Sequence, residues 1–263
     1  MLVDSHCHIQ DKDYPIDVDL VLENALNSGV SRVVAVGTDL TSSRRAVDLA
    51  TKYNQVTGSR AEVFAVIGVH PSEIIKNDIR ELDKIFQDTP PLKRSRIIGV
   101  GEIGLDYHYD NQSRKRQIGA LEWQIDFALK NDLAIEFHVR DAFFDFWPVL
   151  NNFSIKRADV HSFTDNRANA EEALRRGFYI GLNGISTFTK INWQKQLYSD
   201  LPLESILFET DAPYLTPAPF RGKINEPARI RQIAEYHAAA RQIPFDVVTD
   251  QTSQNFESLF DLK

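Results

Sequence analysis

The chain has 263 residues, 43% hydrophobic and 25% charged, the make-up of a folded globular protein rather than a disordered or fibrous one. A formal charge of −7 excludes a protein that coats nucleic acid by bulk positive charge, though not a basic rim around an acidic pocket filled with divalent cations. One cysteine excludes an internal disulfide, and no uncharged apolar run reaches the ~18 residues of a membrane span.

Met1-Leu2-Val3-Asp4 opens directly on a strand-like run, with no basic segment and apolar stretch of a signal peptide, so a cytoplasmic location is expected. Apolar, β-branched runs then follow at 2–4, 32–36, 63–69, 97–100, 133–137, 158–160, 178–182 and 206–208. Between them lie helical patterns. Ile118, Leu121, Ile125 and Ala128 recur at spacings of three and four within 113–132, and a second pattern fills 226–241 with Pro227 near its start. Pro90-Pro91 breaks the helix that follows His70, and a terminal helix over 245–260 is expected to complete the outer ring. Eight β-then-α units in about 250 residues predict a parallel (β/α)8 TIM barrel, an α/β fold, as a single domain over 1–263. A dinucleotide-binding open sheet fits less well, because His6-Cys7-His8 stands where its glycine-rich turn would be.

Chemistry in such a barrel sits at the carboxyl ends of the strands. His6 and His8, two apart, point to one side and can share an ion while Cys7 turns into the wall; the bland alternative is a strand end with surface histidines. Glu102, between Gly101 and Ile103-Gly104, offers two oxygens that can join two cations, or else pairs with Arg96 or Lys93. His138 and His161 end the fifth and sixth strands, and Glu209 and Asp211 the eighth, where unpaired acids would demand a positive partner. His70 ends the third strand. His237 falls in a helical pattern and reads as an ordinary surface residue. Six ligand-type residues, His6, His8, Glu102, His138, His161 and Asp211, thus come from five strands to one mouth, which predicts a hydrolase with two divalent metal ions.

Taken in order, Asp-Ser-His-Cys-His, Gly-Val-His-Pro, Gly-Glu-Ile-Gly-Leu-Asp-Tyr, His-Val-Arg, His-Ser-Phe, Glu-Thr-Asp-Ala-Pro and Asn225-Glu226-Pro227 resemble the TatD family of metal-dependent deoxyribonucleases along the whole chain. The resemblance implies an amidohydrolase-like barrel that hydrolyses phosphodiester bonds of DNA. By position, His6 and His8 resemble ligands of one metal, Glu102 the bridge, His138 and His161 ligands of the second, and Asp211 a ligand that also handles protons. Ser162 departs from the His-Cys-Phe triplet common in relatives, but at a position that is not a ligand.

From these residues, Asp211, Glu102 and His70 are expected to be catalytic: a water acidified between two cations gives its proton to Asp211 and attacks phosphorus. Arg140 is a candidate phosphate clamp, or a salt-bridge partner of Asp141 or Glu209. His70 steadies the leaving oxygen, binds phosphate or orients a ligand, and Glu209 is expected to stand behind a ligand. Tyr107, Tyr109 and Tyr214 are placed to stack on bases of a single strand or unpaired end, whereas Phe143, Phe144, Phe146 and Trp147 read as core. Nitrogen ligands suit Zn or Mn, and a phosphate substrate suits Mg. The expected partner is DNA, as single strands or ends attacked exonucleolytically, with no membrane; a monomer suffices for this site. The same ions would serve an ester or amide hydrolase such as a D-aminoacyl-tRNA deacylase acting on aminoacyl-tRNA, and a non-catalytic metal-binding protein is the remaining alternative.

Overall fold

The computed structural model describes residues 1–55, 58–108 and 113–262. Its elements, in chain order, are β1 (Leu2–Cys7), α1 (Val18–Asn27), β2 (Val30–Val36), α2 (Leu40–Lys52), β3 (Glu62–Ile67), α3 (Glu81–Asp88), α4 (Pro91–Arg94), β4 (Ile97–Asp106), α5 (Arg114–Lys130), β5 (Ala134–Arg140) and α6 (Phe143–Leu150). There follow β6 (Ala158–Val160), α7 (Arg167–Arg175), β7 (Tyr179–Leu182), α8 (Ile185–Phe188), α9 (Asn192–Asp200), β8 (Ile206–Phe208), α10 (Ile230–Arg241) and α11 (Phe245–Phe260).

The strands pair in parallel in sequence order from β1 to β8. A parallel bridge between Cys7 and Ala212 returns β8 to β1. It is flanked by His8 N–H donating to Ala212 O at 2.7 Å and Asp211 N–H donating to His6 O at 2.9 Å. Buried Asp4 ties the same seam, accepting from Thr210 N–H at 2.8 Å and Thr210 Oγ1–H at 2.5 Å. The eight units are those of a (β/α)8 barrel.

Two apolar layers follow from the period-two alternation of the strands. Val33, Ala35, Val63, Ala65, Ile135, Phe137, Ala158, Val160, Ile206 and Phe208 pack with the helices in the larger core. The alternate positions Val3, Val34, Val36, Phe64, Val66, Ile98, Ala134 and Leu207 form a second cluster with Phe256, Leu259 and Phe260 of α11. The terminal helix therefore does more than complete the outer ring: its apolar face meets the interior-facing side chains. Continuing the inward parity, β5 presents Ala134, Glu136 and His138, and β6 presents Asp159 and then His161. The apolar floor gives way to acids and then to imidazoles.

Three expectations need correction. Glu102 does not follow a strand ending at residue 100; β4 runs on to Asp106, with a register irregularity against β5 between Val100 and Ile103. Glycines that read as a strand end are instead where the ladder is re-aimed. Phe144 is not core: Phe143 and Phe146 are buried and Trp147 half-buried, but Phe144 is 63% exposed. His237 is no surface residue, since it is 1% exposed and its ring stacks on Phe208 at 5.2 Å. Ser186 Oγ–H donates to Asn183 O, leaving the hydroxyl to accept from His237 Nε2–H at 2.9 Å. The α10 stripe Ile230, Ile233, Ala234, His237 and Ala238 faces the barrel, and the polar type of one residue concealed its membership.

Burial, with Arg241 nearby, lowers the His237 imidazole to about 3. An unfolded histidine titrates near ~6.5, so this group's share of stability is complete above that pH and is lost as pH falls toward 3. His237→Gln, which keeps a hydrogen-bonding side chain without the titration, is expected to lose ~3 kcal/mol less stability than the parent between pH 7 and 4, by urea unfolding. Parallel curves for the two proteins would contradict the burial argument.

Candidate metal centre

At the mouth of the barrel, Glu102 stands among imidazoles from four strands, and its two oxygens face different sets. Oε2 lies 3.8 Å from both His6 Nε2 and His8 Nε2. Oε1 lies 2.6 Å from His138 Nδ1, 3.1 Å from His161 Nε2 and 3.6 Å from His70 Nε2. Asp211 Oδ1 completes the first side, 3.3 Å from His8 Nε2 and 3.6 Å from His6 Nε2. Asp211 adopts a left-handed backbone, φ 56°, which aspartate tolerates better than most residues. Arg96 pairs with Glu62 at 2.9 Å, so the salt bridge considered for Glu102 does not form there and its partners are imidazoles.

Each of four histidines is held from behind. His6 Nδ1–H donates to Glu136, and His8 Nδ1–H donates to Val36 O at 2.9 Å. His138 Nε2 is 3.2 Å from Asp106 Oδ2, and His161 Nδ1 is 3.2 Å from Glu209 Oε1. Glu209 is itself fixed by Ser162 N–H at 2.7 Å, and only a glycine at 181 leaves it room, because a Cβ there would lie 2.3 Å from Glu209 Oε2. With one nitrogen of each ring turned outward, the other is turned to the centre, where it offers a lone pair once a cation displaces its proton. His6 Nε2 and His8 Nε2 lie 3.0 Å apart within the centre. Imidazole nitrogens gathered around the Glu102 and Asp211 carboxylates are a donor set that fits a cation between its members. His6, His8 and Glu102 form one group that could hold an ion, and Glu102, His138 and His161 another.

His70 differs in kind. Ser72 N–H donates to its Nδ1 at 3.1 Å, so the ring proton lies on Nε2 and is presented to the site. Burial, opposed by the Glu102 charge, lowers His70 to about 4, which keeps it a neutral donor at pH 7. Burial also works to raise the Glu102 carboxyl, but the imidazoles of His161, His70 and His138 overcome it and hold Glu102 well below the carboxylate range. Burial opposes charge on His8 as well, yet the Asp211 hydrogen bond and charge take it to about 9. Below this layer, burial, with repulsion from Asp159 on Glu136 and from Glu209 on Asp159, pushes these register partners on β5 and β6 well above the carboxylate range.

All six residues expected to be ligands converge, and Glu209 and His70 adjoin them. Arg140 ends β5 with an exposed side chain, its carbonyl accepting from Tyr107 N–H at 3.0 Å. Tyr109 lies outside the described residues; Tyr214 is 60% exposed on the rim. Glu136, Asp159 and the role of Asp106 were missed. A signal existed for the first two: each is an acid inside an apolar run, two residues before a mouth histidine, hence on the same inward face. Beside the cage lies a cleft of about 410 Å³ bordered by His8, Thr38, His70, Ser72, Asp211 and Tyr214.

Gly104 lets β4 and β5 approach where His138 is aimed. Its φ is +153°, and a Cβ would fall 1.8 Å from His138 O. Gly104→Ala is expected to cost ~3 kcal/mol in urea unfolding, since backbone rather than a movable side chain must give way. A cost below ~1 kcal/mol would show that β4 can yield there.

A profile of the family described as TatD related DNase matches residues 3–261. An uncharacterised metal-dependent hydrolase of Bacillus subtilis, YabD, is 32% identical over 262 residues, covering 99% of each chain. YcfH of Escherichia coli K12, described in the same words, is 33% identical over 265 residues, covering 98% of this chain and 95% of that one. The crystal structure of YjjV, a TatD homologue from E. coli K12, superposes with a TM-score of 0.89 at 27% identity, covering 100% of this chain and 98% of that one. A TatD family hydrolase from Entamoeba histolytica shares the fold, with a TM-score of 0.85 at 21% identity and coverage of 98% and 97%.

Proposed function

Since the chain belongs to the TatD-related DNase family and is a metal-dependent hydrolase, we propose that it is a deoxyribonuclease working on single strands or unpaired ends. The observation that carries this reading is the pair of oxygens of Glu102, each turned to a different set of imidazole nitrogens. One divalent cation would be held by His6, His8, Asp211 and Glu102 Oε2, and a second by His138, His161 and Glu102 Oε1. Zinc or manganese suits the nitrogen donors, and magnesium the phosphate. Bound there, two such cations supply acidification of water toward neutral pH and charge neutralisation on phosphoryl oxygens.

The remaining work falls to the protein. Asp211, whose side chain is 15% exposed toward the cleft, accepts the proton of the attacking water at Oδ1. His70 Nε2–H donates to a phosphoryl or leaving oxygen, as the neutral tautomer set by Ser72 allows. Arg140 clamps phosphate from the end of β5. Glu136 and Asp106 engage one ring nitrogen of His6 and of His138, and Glu209 stands 3.2 Å from His161 Nδ1, which leaves the other nitrogen of each ring for a cation. One domain suffices for the whole arrangement. Among the described residues no helix is long and apolar enough to cross a membrane, and the action is assigned to the cytoplasm.

Protein stripped by a chelator should lose cleavage of a single-stranded oligodeoxynucleotide and regain it with Zn, Mn or Mg, while hydrolysing an aminoacyl ester poorly. Preference for the ester would transfer the site to acyl chemistry. Asp211→Asn should lower kcat on the oligonucleotide ~100-fold or more; unchanged turnover would refute its role. Glu136→Leu should weaken metal affinity 10- to 100-fold, roughly, read by competition with a chromophoric chelator, and Glu136→Gln should recover most of it by keeping an acceptor for His6. Equal affinity in Glu136→Leu and the parent protein would remove Glu136 from the support of the cage.

A further inference from the structure

Tyr107 just after β4, Arg114 at the start of α5 and Phe144 at the start of α6 form a cluster of flat side chains that the metal cage does not use. Phe144 projects from the first turn of α6, 63% exposed, between buried Phe143 and Phe146 that anchor the helix. Its ring centroid lies 5.8 Å from that of Tyr107. The Arg114 guanidinium lies 5.0 Å from the Phe144 ring and 5.5 Å from the Tyr107 ring. One carboxylate locks the group: Arg114 donates to both oxygens of Asp145, and Tyr107 Oη–H donates to Asp145 Oδ2 at 2.8 Å.

The cluster is joined directly to the candidate centre. Tyr107 follows Asp106, whose Oδ2 is 3.2 Å from His138 Nε2, and Tyr107 N–H donates to Arg140 O at 3.0 Å. An isolated exposed phenylalanine means little. Here it is combined with a second ring, with a guanidinium fixed by two hydrogen bonds to Asp145, and with a backbone that leads through Asp106 to His138 of the cage. The planar group that arrives attached to a phosphate is a nucleobase. Aromatic faces and arginine planes are the surfaces on which unpaired bases stack.

We propose that Phe144, with Tyr107 and Arg114, forms a platform for the base of the nucleotide adjoining the scissile phosphate, making this a site for polynucleotides rather than for simple phosphodiesters. The proposal rests on the nuclease reading above. Stacking without hydrogen bonds to base edges selects for an unpaired base and is nearly indifferent to which base it is.

The test uses the full-length, metal-loaded protein and a fluorescein-labelled thymidine hexamer with phosphorothioate links, compared with the same backbone bearing abasic residues. Fluorescence anisotropy should give about tenfold tighter binding of the base-bearing strand. In Phe144→Ala that ratio should fall close to one, and in Phe144→Trp it should return. A ratio near one in the parent protein, or one unaltered by Phe144→Ala, overturns the platform. Turnover of the unmodified hexamer separates the two readings. A strand bound with base preference but left intact keeps the platform and removes the nuclease; cleavage without base preference does the reverse.

Discussion

The centre depends on the acceptors placed behind the imidazoles rather than on the groups in front of them. A neutral imidazole has one donor and one acceptor nitrogen, so an acceptor placed behind the ring decides which nitrogen is left for the site. Glu136, the carbonyl of Val36, Asp106 and Glu209 occupy those rear positions for His6, His8, His138 and His161. His70 has the opposite arrangement, with a backbone N–H behind it. Five histidines of similar appearance are thereby sorted into four with an acceptor behind the ring and one with a donor behind it.

This sorting is expensive in a barrel interior. Asp4, Glu136, Asp159 and Glu209 are all buried, and an isolated carboxylate there would carry a large desolvation cost. Each is compensated differently. Asp4 accepts two hydrogen bonds from Thr210, Glu209 accepts from Ser162 and adjoins His161, and Glu136 accepts from His6. Glu136 and Asp159, paired in register, are pushed toward their neutral forms. The alternation of the strand makes the layering possible: floor, acid and imidazole follow each other at every second residue, so the same backbone that builds the apolar plug also delivers the supports and the ligands.

Beyond the cage, polar and flat groups occupy different parts of the rim. The cleft beside Asp211 and His70 is bordered by polar groups, whereas the flat groups Tyr107, Phe144 and Arg114 lie on the β4 and β5 side. Buried Phe143 and Phe146 support Phe144 from within α6, which allows an exposed ring to hold a defined position without contributing to the core.

The eight strands and their alternation with helices could be read from apolar runs alone, because burial of parallel strands writes itself as local composition. The six mouth residues were also legible, since the carboxyl ends of barrel strands gather at one mouth and a polar residue closing an apolar run lands there. Three things were not. The continuation of β4 past Val100 depends on pairing with β5, which no local pattern records. The burial of His237 depends on which face of α10 meets β8. The tautomer of each histidine depends on a partner that can be over a hundred positions away, as Glu136 is from His6. Sequence determined the residue types and their places along each strand, because those follow from spacing; tertiary structure alone decided which atom faces which, because hydrogen bonds and lone pairs are directional and their partners meet only when the barrel closes.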